Sequence, residues 1–430
     1  MDPVHLHMPW LLGTVSHRFQ VSTLAFGALL VIGAALSGVA RRSFVSLTAV
    51  FVVAGFLLGD GATGVLHFDA RAPFVAGLAT VALIVILFRD GLEVDSELLA
   101  SHWHLPFRKL VLAMPLTAVI VAVATRVLTG LSWTESFLVG ALLSPTDPVL
   151  SSNVVTNPRV PAVVRNSLNL ESGLNDGLAL PAVLALSAAL STGGGHFVWW
   201  RFVIVNLVLG FAVGVVLGLA AAWLAPREPA SPASPASPAS PERDIPAHQR
   251  ALFALGVAFA TYGTTVLIPH GNGLIAVYVA AIVLGIRRPD VRRQFERQAA
   301  DLVEIVKLGI FVVFGAVLTL DGLFASGWAA VGVVAVTLLL ARPVSVFVAL
   351  ARTDTDVATR AFMSWFGPKG VATMTFSLLV LSQPIRSGPT IFNLAALTVF
   401  CSILLHGATD TAGANWMAAR AEGAGTDGQA

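Results

Sequence analysis

The residue pattern predicts an all-α polytopic membrane protein of about thirteen transmembrane helices, arranged as an inverted repeat with two discontinuous helices. Three observations carry this reading. The 430 residues are 56% hydrophobic and 12% charged, with a mean hydropathy of +0.81, far outside the range of soluble globular domains. Apolar runs of membrane-spanning length recur along the chain. Two of those runs are broken by proline and glycine at corresponding places in the two halves.

A hydrocarbon core of about 30 Å takes about 20 mostly apolar helical residues per crossing. Runs that meet this lie near 21–40, 44–59, 73–92, 107–130, 132–150, 161–191, 199–225, 250–269, 271–286, 300–320, 325–350, 358–383 and 389–407. The first, Val21 to Ala40, is longer than a signal-peptide core and reads as a retained helix. Of the 26 Lys and Arg, eighteen follow odd-numbered runs or lie in the C-terminal tail, among them Arg41, Arg42, Arg108, Lys109, Arg287, Arg288 and Arg292. Five, Arg18, Arg71, Arg126, Arg201 and Arg386, fall on the other side. This asymmetry places the N-terminus outside and the C-terminus in the cytoplasm. The basic residues flank apolar runs instead of forming one stripe, so no nucleic-acid partner is expected. The single cysteine, Cys401, cannot build a disulfide or a thiolate metal site within one chain.

Ala230 to Pro241 reads ASPASPASPASP, a composition that stays solvated and contributes no core. The expected organisation is a first membrane half over 1–226 with spans one to seven, an SPA-rich cytoplasmic linker over 227–249, a second half over 250–409 with spans eight to thirteen, and a short cytoplasmic tail over 410–430. That tail is too brief for a large regulatory domain.

Inverted-repeat transporters pair two discontinuous helices whose ends meet near the bilayer midplane. Span five is interrupted by Ser144-Pro-Thr-Asp-Pro148, where two prolines remove amide donors and Pro148 turns Asp147 away from helical geometry. The fifth span of the second half is interrupted by Gly367-Pro-Lys-Gly370. Each break carries a charge, Asp147 or Lys369, able to offset the partial charges of opened helix ends.

An ionisable residue at the centre of a membrane helix costs about 2.5–3.5 kcal/mol on insertion scales and is a functional hypothesis by default. Asp147, Glu171, Asp176 and Arg342 meet that description. In Glu171-Ser-Gly-Leu-Asn-Asp176, Ser172 and Asp176 are an i, i+4 pair on one helix face, and Glu171 points elsewhere. Asp176, Asp147 and the Ser172 hydroxyl, with freed carbonyls near Thr146, offer hard oxygens suited to Na⁺ or Li⁺. Burial beside a second carboxylate lets a proton compete for the same group. Arg342, in Leu340-Ala-Arg-Pro343, needs an anionic partner, for which Glu171 is the candidate. Glu304 and Lys307 read as an interfacial pair with no transport role. Asp90, Glu93 and Asp95, at the end of span three, read as a solvated rim or a vestibule.

At Thr146-Asp-Pro148 and Glu171-Ser-Gly-Leu-Asn-Asp176 the sequence resembles the monovalent cation:proton antiporters, in their NhaP and NHE-like branch. The resemblance covers nearly all the membrane part. It implies a thirteen-helix antiporter fold with a dimer-forming domain and a mobile six-helix core, usually a homodimer. It further implies exchange of Na⁺, Li⁺ or K⁺ for H⁺ by alternating access, without a cofactor, serving pH homeostasis in the cell (inner or plasma) membrane. Carried over by residue, Asp176 would be the ion and proton carrier, with Asp147, Thr146 and Ser172 as ligands. Asn175 would accompany electroneutral one-for-one exchange, and Glu171 and Arg342 would form a core salt bridge. Trp365-Phe-Gly-Pro-Lys-Gly370 is similar to a family scaffold element with Lys369 in place of Arg, and Arg89 stands where an acidic residue is expected.

Two other classes compete. A cation channel would need a ring of equivalent filter residues, which these few asymmetric carboxylates do not supply. An intramembrane aspartyl protease could use Asp147 and Asp176 as a dyad, but the chain has no Gly-x-Gly-Asp element.

Overall fold

The computed structural model describes residues 17–40, 47–94, 103–147, 154–155, 157–191, 198–225 and 247–427. The SPA-rich stretch, Pro148 and Asp95 lie outside these. Every described element is helical. The helices are α1 (His17–Ala40), α2 (Leu47–Leu58), α3 (Pro73–Glu93), α4 (His104–Thr129), α5 (Trp133–Leu143), α6 (Ala162–Ser191), α7 (Trp199–Leu224), α8 (Ala247–Leu267), α9 (Gly273–Arg287), α10 (Pro289–Gln298), α11 (Ala300–Ala316), α12 (Gly327–Ala349), α13 (Val357–Trp365), α14 (Val371–Leu381) and α15 (Gly388–Asp427), with a short helical turn at Leu320–Phe324 between α11 and α12. Each of the thirteen apolar runs coincides with one of these helices or with an interrupted one. Seven of them are long and apolar enough to cross a membrane, and five shorter ones are apolar. The chain is a multi-pass membrane protein.

Composition explains the termini and the bends. Ser132 caps α5, its hydroxyl accepting from Glu135 N–H while the Glu135 carboxylate accepts from Ser132 N–H, a reciprocal pair that satisfies two orphan donors. Asn272 caps α9 and Asp356 caps α13 in the same sense. Within α4 and α12 the backbone widens into π-helical turns at Lys109–Ala113 and Val336–Ala341. Pro115 and Pro343 follow these turns, and a proline removes the amide that would close the ordinary i to i−4 bond. The π turns place Lys109 and Arg342 on the same side of the bundle, where both meet Glu171.

Two groups of helices pack side by side. α2 lies along α11, α3 along α9, and α9 along α7; in the other group α4 packs on α5 and α12, and α14 on α15. The groups meet where α3 and α11 approach α6 and α14.

Two features were not expected from the sequence. Residues 289–298 form the amphipathic helix α10, which turns Val291 and Phe295 inward and packs Phe295 edge-on against Phe88 of α3. The helix that carries the last span continues past 407, and α15 runs on to Asp427. Ala414 and Met417 join a second apolar cluster with Phe362 and Phe366, and Arg420 pairs with Asp356 at 2.9 Å. Within this extension Asp410 is buried, and its carboxylate accepts from Val154 N–H at 3.3 Å.

Candidate functional site

The two broken helices cross and terminate one another. Asp147 N–H donates to Pro368 O at 2.8 Å, and the Asp147 carboxylate accepts from Val371 N–H at 3.3 Å, placing a negative group on the N-terminus of α14. Reciprocally, Lys369 Nζ donates to the carbonyls of Ser144 (3.3 Å) and Pro145 (3.1 Å), just beyond the C-terminus of α5. Lys369 N–H donates to the Ser402 hydroxyl of α15 at 2.9 Å, which fixes the crossing from behind. Gly370 makes the approach feasible: a Cβ there would overlap Asp147 Cβ and its carboxylate. Gly367 does the same for Arg342, whose guanidinium fills the space a side chain would take.

α6 runs past this crossing. Asn175 Nδ2 donates to Thr146 O at 2.7 Å and reaches Thr146 Oγ1 at 3.2 Å, tying the helix to the first break. Asp176 is buried, and its Oδ1 finds no hydrogen-bond partner among the described residues. It faces a cavity of about 410 Å³ whose wall also holds Asp147, Ser172, Asp90 and Lys307. The cavity lies between the two helix groups, with α3, α10 and α11 on one side and α6 and the breaks on the other. Among the described residues its carboxylates do not close into a resident metal cluster.

Glu171 faces away from the cavity, as its position on the helix predicts. Its Oε1 accepts from Arg342 Nη1 at 2.7 Å, and its Oε2 accepts from Lys109 Nζ at 2.7 Å and Arg342 Nη2 at 3.2 Å. Thr146 Oγ1 lies 3.5 Å from Glu171 Oε1. The structure therefore groups Asp147, Ser172 and Asp176 at the cavity and Thr146, Asn175, Glu171 and Arg342 behind it, with Lys369 at the helix crossing.

Three readings change. Lys109 is not a loop charge reporting topology: its side chain is fully buried on Glu171. Lys307 is not an interfacial partner of Glu304, which is exposed, but a buried side chain in the cavity wall. Asp90 is not a solvated rim residue: it lies within α3, buried, on the same cavity. A run of apolar residues hides which face of a fully buried helix is wet, so periodicity could not find these. The signal that could have was scarcity, since the chain has only three lysines and all three are buried.

Comparison with known proteins adds the lineage. A family model described as sodium/hydrogen exchanger, transmembrane, matches residues 27–413. The K(+)/H(+) antiporter NhaP2 of Shewanella oneidensis is 25% identical over 91% of this chain and 66% of the relative. The K(+)/H(+) antiporter NhaP of Alkalimonas amylolytica is 24% identical over 93% of this chain and 67% of the relative. The chain thus spans about two thirds of the length of these curated relatives. The solved structure of the sodium proton antiporter MjNhaP1 from Methanocaldococcus jannaschii superposes with a TM-score of 0.77 at 18% identity, covering 93% of this chain and 98% of that one. It shares the fold.

Proposed function

The chain belongs to the sodium/hydrogen exchanger family, and from that premise we propose that it is a secondary active antiporter exchanging a monovalent alkali cation, Na⁺, Li⁺ or K⁺, for protons. The observation that carries the reading is Asp176, buried on α6 with an unpartnered oxygen, facing a cavity that also holds Asp147 at the crossing of two broken helices. A buried carboxylate is costly when charged and alone, so it is neutralised by a proton or by a cation, and either occupant excludes the other. Asp147 leans on the N-terminus of α14 and Asn175 is neutral, which leaves Asp176 as the group that swaps; one cation then exchanges for one proton. Ser172 supplies a hydroxyl oxygen from the same wall. Thr146, hydrogen-bonded to Asn175, shapes the break and presents its own oxygens beside it.

The working unit in this proposal is a homodimer in the cell membrane, with the N-terminus outside and the C-terminus in the cytoplasm. α10 follows an odd-numbered span, so the cavity it borders opens to the cytoplasm. Alternating access follows if the group containing α5, α6 and α14 moves against the group containing α3 and α11, carrying Asp176 across.

The test is proton flux in proteoliposomes holding a pH gradient, with the membrane potential clamped, after a pulse of Na⁺, Li⁺ or K⁺. Cation-dependent collapse of the gradient under clamp is the expected result, and the pulses rank the substrates. Cation conduction without proton counterflow would instead establish a channel. In the same assay, deleting Ser231 to Ser240 is expected to leave the rate essentially unchanged, because a repeat of Ala, Ser and Pro has no apolar face to contribute to a core; lost activity would make the repeat more than a linker.

A further inference from the structure

Lysine is rare in this chain and wholly internal. Lys109, Lys307 and Lys369 are its only three lysines, at 1%, 5% and 1% exposure, while arginine supplies every other fixed positive side chain. Two of them are committed: Lys109 to Glu171, and Lys369 to the carbonyls of Ser144 and Pro145. Lys307 differs. Among the described residues its ammonium makes no hydrogen bond and no ion pair, although burying an unpaired charge is expensive.

The charges facing Lys307 explain its place. α3 contributes Arg89, Asp90 and Glu93, and Arg89 is already paired with Glu93 at 2.6 Å. On α10, Arg292 and Glu296 sit 3.8 Å apart. Asp147 rests on the N-terminus of α14. Asp90 and Asp176 remain, one on each wall of the cavity, and the Lys307 charge acts on both. An ammonium is a compact point charge on a flexible four-carbon stem, the side-chain group nearest in kind to an alkali cation.

We propose that Lys307 is a tethered competitor for the transported cation. Its ammonium offsets part of the charge that Asp90 and Asp176 share in the interval after the proton has left and before a cation binds, withdraws as the cation enters, and so sets the apparent cation affinity. This rests on the exchange reading above and adds to it a positioning residue that tunes the site without itself being carried.

The experiment measures exchange rate against cation concentration in proteoliposomes for wild type, Lys307→Met, Lys307→Arg, Asp90→Asn and the Lys307→Met/Asp90→Asn double variant. Removing the competitor is expected to lower the half-saturating cation concentration about tenfold, with a much smaller change in maximal rate. Lys307→Arg, which keeps the charge, stays near wild type. Asp90→Asn leaves the ammonium to Asp176 alone and raises half-saturation, and the double variant returns toward the starting value. A merely structural lysine would lower the maximal rate and leave half-saturation where it was. Unchanged or raised half-saturation in Lys307→Met overturns the proposal. Should that variant not fold, unchanged half-saturation in Asp90→Asn overturns it equally. If wild type exchanges no cation, the exchange reading falls and the competitor role falls with it.

Discussion

Asp176→Asn is expected to abolish cation-dependent proton flux while leaving the protein folded and at least as thermally stable as wild type. The amide matches the carboxylate in size but can neither take up a proton at neutral pH nor neutralise a cation. The helix does not depend on a hydrogen bond to Asp176 Oδ1, which accepts none among the described residues, because Asn175 ties it to the first break, and Asp90 remains opposite Lys307. Replacing a buried charge by a neutral group also removes a desolvation cost. The variant should therefore purify normally, with a thermal midpoint equal to or above that of wild type, and give flat traces in the proteoliposome assay. Retained flux would take Asp176 out of the centre of the mechanism. A fall in both stability and flux would make it a structural carboxylate, and the carrier would have to be sought at Asp147 or Asp90.

Much of this arrangement is legible in the residues, for identifiable reasons. Proline and glycine act locally, so Ser144-Pro-Thr-Asp147 and Gly367-Pro-Lys-Gly370 announce the two breaks, and the charge on each announces the helix end it serves. The five-residue offset of Glu171 from Asp176 turns them to different faces, and the structure places one on Arg342 and the other in the cavity. What could not be read is which charges near span ends are drawn inside. Lys109 lies next to Arg108, and in sequence the two look alike. In the structure Arg108 reaches out to the carbonyls of Ala349 and Ala351, whereas the π turn rolls Lys109 inward onto Glu171. Asp90 and Lys307 escaped for a related reason: the depth of a residue in a bundle depends on what lies over it. Here that cover includes α10, a short polar helix with no span-like signature.

The buried cluster on Glu171 yields the other large effect, and its signs are not symmetric. One carboxylate faces two cations, Arg342 and Lys109, all within 8% side-chain exposure. Removing the anion leaves both cations uncompensated, and breaking a buried pair in this way costs about 3–5 kcal/mol. Removing Lys109 instead leaves a one-to-one pair in which Arg342 still donates twice to Glu171, so Lys109→Met is expected to change stability by no more than roughly 1 kcal/mol. Thermal midpoints of the purified protein in detergent should accordingly fall steeply for Glu171→Gln and little for Lys109→Met. Exchange should be lost in Glu171→Gln even at temperatures where it remains folded, because Thr146 lies against Glu171 on one side and holds Asn175 on the other, so the shape of the first break depends on the cluster. Equal losses of stability in the two variants would mean that the geometry of the three side chains, and not the balance of their charges, is what the core requires.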